Sequence, residues 1–215
     1  MEPLHIPWLT VGILLVLNFC ISWWNAYAVG VNWVESKQIG GWTRFMNWMG
    51  AIMSASGFSW CYMILLTCGF YYAQPHFIGD HKPYLDAKAV AATFSVGYLV
   101  LIPGILFSGL MIWLDSVVQA WKRRDLPSLG VAAWNTYAQA HNTWSAYRGI
   151  GGAFDSIGDF LKGGDDDDGG KGAALIIIVV LVVITVAGGI FTTWAIISHF
   201  AGTQSVAERR MGGAR

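Results

Sequence analysis

Ala89 to Trp121 reads AVAATFSVGYLVLIPGILFSGLMIWLDSVVQAW, and the cluster Lys122, Arg123 and Arg124 closes it. From Ala89 to Leu114 no residue is charged, a run of 26 positions. About 20 apolar residues suffice to carry a helix across a bilayer. A basic cluster at the end of such a run marks a cytoplasmic boundary.

The rest of the chain has the same character. Hydrophobic residues make up 55% of it and charged residues 12%. Soluble domains carry about 25% charged residues, so the composition excludes an ordinary water-soluble fold. Lys+Arg and Asp+Glu number 13 each, which leaves no basic excess for a nucleic-acid partner. The 12 tryptophans suit the membrane–water interface, where an apolar ring and one N–H are satisfied together. Cys20, Cys61 and Cys68 all lie in apolar runs and form neither a CxxC pair nor a zinc spacing. They read as small packing residues.

Three further spans follow from the apolar runs. The first covers residues 7–29. Its lead-in has no Lys or Arg, which separates it from a secretory signal and makes it a membrane helix. The second covers 48–71, flanked by Trp42 and Trp48 and by Tyr71 and Tyr72. The last covers 173–200 and is nearly continuous Ile, Val and Leu at its start. Its β-branched content does not make it a strand, because lipid demands that backbone hydrogen bonds close within the segment. With 89–114 these make four spans. The short connection 31–41 and the turn region 73–88, with Pro75, Gly79 and Pro83, join the first three.

The long third connection holds one more helix. Trp134, Tyr137, His141, Trp144 and Tyr147 share one helical face. Asn135, Gln139 and Asn142 lie on the other. That face has no Lys or Arg until Arg148, unlike helices that lie on a membrane surface. The aromatic face is therefore a candidate partner-binding face, with folding back on the protein's own spans as the equal alternative. Gly149, Gly151, Gly152 and Gly158 each weaken a helix by about 1 kcal/mol, and a break near Gly151 is expected. The run GGDDDDGG at 163–170 reads as a solvated linker.

The sequence thus predicts an all-α, polytopic integral membrane protein with about four transmembrane helices and an amphipathic helix in the third connection. Residues 1–124 form a three-helix membrane region. Residues 125–171 form an extramembrane helix and linker. Residues 172–215 form the fourth span and a basic tail. Four crossings place eight Lys and Arg on the side of the long segment and five on the side of the termini. The segment 119–172 is then expected in the cytoplasm with both termini opposite. The basic tail pulls against that assignment.

Small and polar residues give the candidate sites. Gly50, Ser54, Gly57 and Cys61 form one stripe of small side chains that admits a neighbouring helix. Gly104 and Ser108 form a second small pair beside Pro103, where a kink is expected. Asn18, Asn25 and Asp115 are candidates for a polar path. His76, Asp80, His81 and Asp86 in the second connection match no metal-binding template. No nucleophile–base motif, P-loop, HExxH or dinucleotide fingerprint occurs, so no catalytic residue, metal or cofactor is assigned.

The function expected from these features is that of a non-catalytic structural or accessory subunit. Such a subunit packs against the lipid bilayer and against other membrane subunits or copies of itself. The alternatives are a small channel or solute transporter using the polar path, and a membrane enzyme using the histidines of the second connection.

Overall fold

The computed structural model describes residues 7–78, 85–162 and 168–212, with the side chains at 34–39, 168–170 and 204–212 left out. Five long helices and one short one account for nearly all of them: α1 (Trp8–Ile39), α2 (Gly41–Ala73), α3 (Pro75–Ile78), α4 (Ala87–Arg123), α5 (Leu126–Lys162) and α6 (Asp168–Gly212). Among the described residues there is no strand. The protein is an all-α polytopic membrane protein. Four helices, α1, α2, α4 and α6, are long and apolar enough to cross a bilayer. Their outward sides carry Leu14, Leu17, Val183 and Phe191, all exposed, as lipid-facing sides require.

The helices outrun the spans read from the apolar runs. The stretch 31–41 is not a connecting loop. α1 continues to Ile39, and Gly40 alone, at φ 111°, separates it from α2. A non-glycine residue would be strained at that φ. At the other corner α4 ends at Arg123. Arg124 takes the left-handed conformation, φ 54°, and its N–H donates to Ala120 O at 3.0 Å. Asp125 then caps α5 by accepting from Ser128 N at 2.7 Å. Two residues therefore reverse the chain. Pro103 lies inside α4, which continues through it.

α5 also differs from its expectation. It runs unbroken through Gly149, Gly151, Gly152 and Gly158. Tertiary packing compensates the weak helix propensity: α5 lies antiparallel along α4. Trp113 Nε1 donates to Thr136 Oγ1 at 2.8 Å. Tyr98 OH donates to Ser145 O at 3.0 Å. Farther along, Phe160 packs on the cluster of Leu85, Ala89 and Val90.

α2 is the hub, touching α1, α4 and α6. It is antiparallel to each of the three. Against α1, Asn18 meets Gly57 and Asn32 meets Asn47. Against α4, Met63 meets Gly97 and Trp42 meets Asp115. Against α6, Tyr62 meets Thr192, Ser54 meets Thr193, and Tyr71 packs on the cluster that holds Ile178. Consequently α1, α4 and α6 all run in one direction, and α2 and α5 in the other.

Candidate interaction site

The face of α5 turned to α4 repeats every seven residues. Ala132, Ala146 and Ala153 are buried, Gln139 is half-buried between them, and Phe160 completes the series. A seven-residue repeat keeps one seam facing one partner helix. Gln139 Nε2 donates to Leu106 O at 3.4 Å across that seam. Gly149 presents bare backbone to Tyr98, where a Cβ would lie 2.7 Å from the phenol oxygen. The alanine seam is less conspicuous in the sequence than the aromatic face. The spacing 132, 139, 146, 153, 160 was the available signal.

The other face of α5 meets no other helix among the described residues. Among the described residues, α4 is the only helix that α5 packs against along its length. Trp134, Tyr137, Trp144 and Tyr147 are between 58% and 79% exposed, and His141 is exposed beside them. Their rings form two short stacks. Trp134 lies 6.0 Å from Tyr137, which stacks on His141 at 6.2 Å. Trp144 stacks on Tyr147 at 6.2 Å, and Arg148 lies over the Trp144 ring at 5.2 Å. Cation–π contact gives the guanidinium a partner within its own helix. Tyr98 lies within the uncharged run of α4 and contacts Ser145 and Gly149. The His141–Arg148 part of the face therefore sits at the depth of that run.

The small-residue stripe of α2 lies against α1 and α6. A Cβ at Gly50 would meet Val29 Cγ2 at 2.7 Å, and one at Gly57 would meet Ser22 and Asn18. Ser54 Oγ donates to Ser22 O at 2.8 Å. That uses its one proton, so Thr193 is the donor in the 3.1 Å contact between the two hydroxyls. Cys61 accepts from Asn18 Nδ2 at 3.3 Å. A second small face of α2 lies against α6 and α4. A Cβ on Gly189 of α6 would lie 2.5 Å from Ala55 O and 2.7 Å from Ser59 N. Gly104 of α4 faces Ser56 and Ile52, and Ser108 Oγ donates back to Gly104 O at 2.6 Å.

Asn18, Asn25 and Asp115 lie at different places in the bundle. Asn18 donates to Gly57 O at 2.9 Å. Asp115 accepts from Trp42 Nε1 at 2.8 Å. Fifteen residues of α2 separate these anchors, about 22 Å along the helix. Asn25 is half-buried on α1. Asp115 instead borders a groove of about 370 Å³ at the α4–α5 corner, with Ser116, Gln119, Arg123 and Asn135.

In the second connection, Asp86 caps α4 by accepting from Ala89 N at 2.8 Å, and His76 lies in α3. Asp80 and His81 lie outside the described residues. Among the described residues no group of three His, Cys, Asp or Glu side chains is placed to hold a metal ion. The residue that organises this connection is Gln74, which carried no signal in the sequence. Its Nε2 donates to Leu85 O at 2.6 Å and its Oε1 accepts from Leu85 N at 2.9 Å.

No family model, no curated protein and no solved structure matches the chain.

Proposed function

We propose that the protein is a non-catalytic structural or accessory subunit of a membrane assembly, and that the outer face of α5 is its docking surface. The observation that carries this reading is the exposed aromatic ladder with His141 and Arg148 beside the uncharged run of α4. Bare lipid is a poor neighbour for that face. An arginine at the centre of a membrane helix costs about 2.5–3.5 kcal/mol on insertion scales. Trp and Tyr, by contrast, are the side chains that anchor protein interfaces. A second membrane helix supplies both an apolar wall for the rings and acceptors for the guanidinium and imidazole.

A solute path has less support, because Asn18 and Asp115 are each taken up by a protein partner, Gly57 O and Trp42 Nε1. The test is a photo-crosslinking residue in place of Tyr147, combined with the particle mass after extraction in a mild detergent. A crosslink to a second polypeptide, within a particle heavier than one chain, is expected. Lipid adducts alone on a monomeric particle would refute the reading.

A further inference from the structure

We infer that α5 is a fifth membrane crossing, so that the two ends of the chain lie on opposite sides of the bilayer and the basic segments gather on one side. The inference does not depend on what covers α5.

Direction is the first argument. α4 and α6 run parallel: the cluster joining them puts Leu85, Ala89 and Val90 at the start of α4 beside Ile178 and Leu181 in the first half of α6. Both belong to the four helices able to span. A chain that crosses in α4 and crosses again the same way in α6 has to return between them. Among the described residues, α5 is the only helix in that interval, and it contains 37 residues. At 1.5 Å per residue it is about 55 Å long, more than the roughly 30 Å of the hydrocarbon layer. With α5 outside the membrane, α6 would have to be antiparallel to α4.

Depth is the second argument. The contacts of α5 pair Thr136 with Trp113, Ser145 with Tyr98, and Phe160 with the Leu85–Ala89 region. They cover the whole uncharged run of α4. No plane encloses that run and leaves α5 in water. α5 is not apolar enough to qualify alone, but it does not enter alone. The corner at Arg124–Asp125 makes it one hairpin with α4. The Trp113–Thr136, Tyr98–Ser145 and Gln139–Leu106 hydrogen bonds satisfy polar groups that lipid would leave bare.

Charge is the third argument, assigned by position along the chain. One end collects the α1–α2 reversal (Lys37, Arg44), the α4–α5 corner (Lys122, Arg123, Arg124) and the C-terminal tail (Arg209, Arg210, Arg215). These are eight cations, against Glu35, Asp115, Asp125 and Glu208. The other end holds Lys82, Lys88, Lys162 and Lys171 against nine carboxylates, four of them Asp165–Asp168. A chain with no net charge thus divides into a basic and an acidic end. Four crossings set the basic tail against the basic cluster, whereas five put them together. The positive-inside rule then makes the basic end cytoplasmic, where it faces the anionic headgroups of the inner leaflet.

The test labels the two ends of α5. Lys122→Cys and Lys162→Cys are made in the full chain, both at exposed positions. Intact cells are treated with a membrane-impermeant maleimide before and after permeabilisation. The parent chain, whose three cysteines lie within the spanning helices, is the blank. Lys162→Cys is expected to label in intact cells and Lys122→Cys only after permeabilisation. Labelling of both from the same side overturns the fifth crossing. Where a variant is not produced, epitope tags at the two chain ends of the parent decide the same point: opposite sides support five crossings, one side overturns them. Replacing Lys122, Arg123 and Arg124 by Gln tests the basic face separately. A mixed orientation of the tagged chain is expected, and a fully retained one overturns the role given to that cluster.

Discussion

Gln74 is 2% exposed and Leu85 0%, and the amide of one closes both backbone groups of the other. This bridge fixes how the chain leaves α2 and enters α4. Gln74→Leu keeps the size of the side chain and removes both hydrogen bonds. It strands one buried N–H and one buried C=O. Each such group costs about 1–3 kcal/mol. Relaxation recovers part of the sum, so the expected loss is about 2–4 kcal/mol. At about 2–4 °C per kcal/mol for a chain of this length, thermal unfolding in detergent micelles should fall by roughly 4–16 °C. Gln74→Glu puts a buried carboxylate oxygen against Leu85 O in place of the donor, so its unfolding temperature should fall by at least as much. Hydrogen exchange gives a local readout: the Leu85 amide should be slow in the parent and fast in Gln74→Leu. An unfolding temperature within about 1 °C of the parent, with Leu85 still protected, would refute the bridge.

Gly189→Ala places a Cβ against backbone atoms of Ala55 and Ser59 and should destabilise by about 1–3 kcal/mol. Gly151→Ala meets nothing within 4 Å and should be neutral or stabilising by up to about 1 kcal/mol; the reverse order in thermal unfolding would refute the α2–α6 contact. Asp125 lies outside the spans, and the Ser128 N–H holds its carboxyl below the usual carboxylate range. Its folded pKa is thus below its unfolded value, about 3.9. The cap contributes above that value and is lost as pH falls through the folded pKa; an NMR midpoint for Asp125 at or above 3.9 would refute the cap. The double variant Tyr98→Phe with Trp113→Phe removes two α4–α5 hydrogen bonds, each worth about 0.6 kcal/mol in membrane helices. Exchange should speed up in α5 and stay unchanged between α1 and α2, and an unchanged α5 would refute these tethers.

How much of this was legible in the sequence differs from element to element. The spanning helices follow from uncharged runs, because lipid tolerates nothing else at their length. Their ends do not follow. Residues 31–39 mix polar and apolar side chains compatible with helix, and only a backbone φ of 111° at Gly40 stops α1. The stripe Gly50, Ser54, Gly57, Cys61 points to a close neighbour, but a stripe does not name it. The second small face, Ala55, Ser56 and Ser59, makes α2 the hub, and a chain read one periodicity at a time conceals a helix with three neighbours. Gln74 was illegible because its partner is the backbone of Leu85, and any residue has that backbone.

α5 shows why polarity alone does not place a helix. Asn135, Gln139 and Asn142 argue for water if solvent is the only possible neighbour. All three are half-buried, on the side turned towards α4, and Gln139 spends its amide on Leu106 O. Outward, among others, are Trp134, Tyr137, His141, Trp144, Tyr147 and Arg148. A helix fit for water exposes its amides and hides its rings, and α5 does the opposite. Hydropathy averages the two faces and cannot register that reversal. The seven-residue spacing of Ala132, Gln139, Ala146, Ala153 and Phe160 does register it, since it separates the face turned to α4 from the face left for something else.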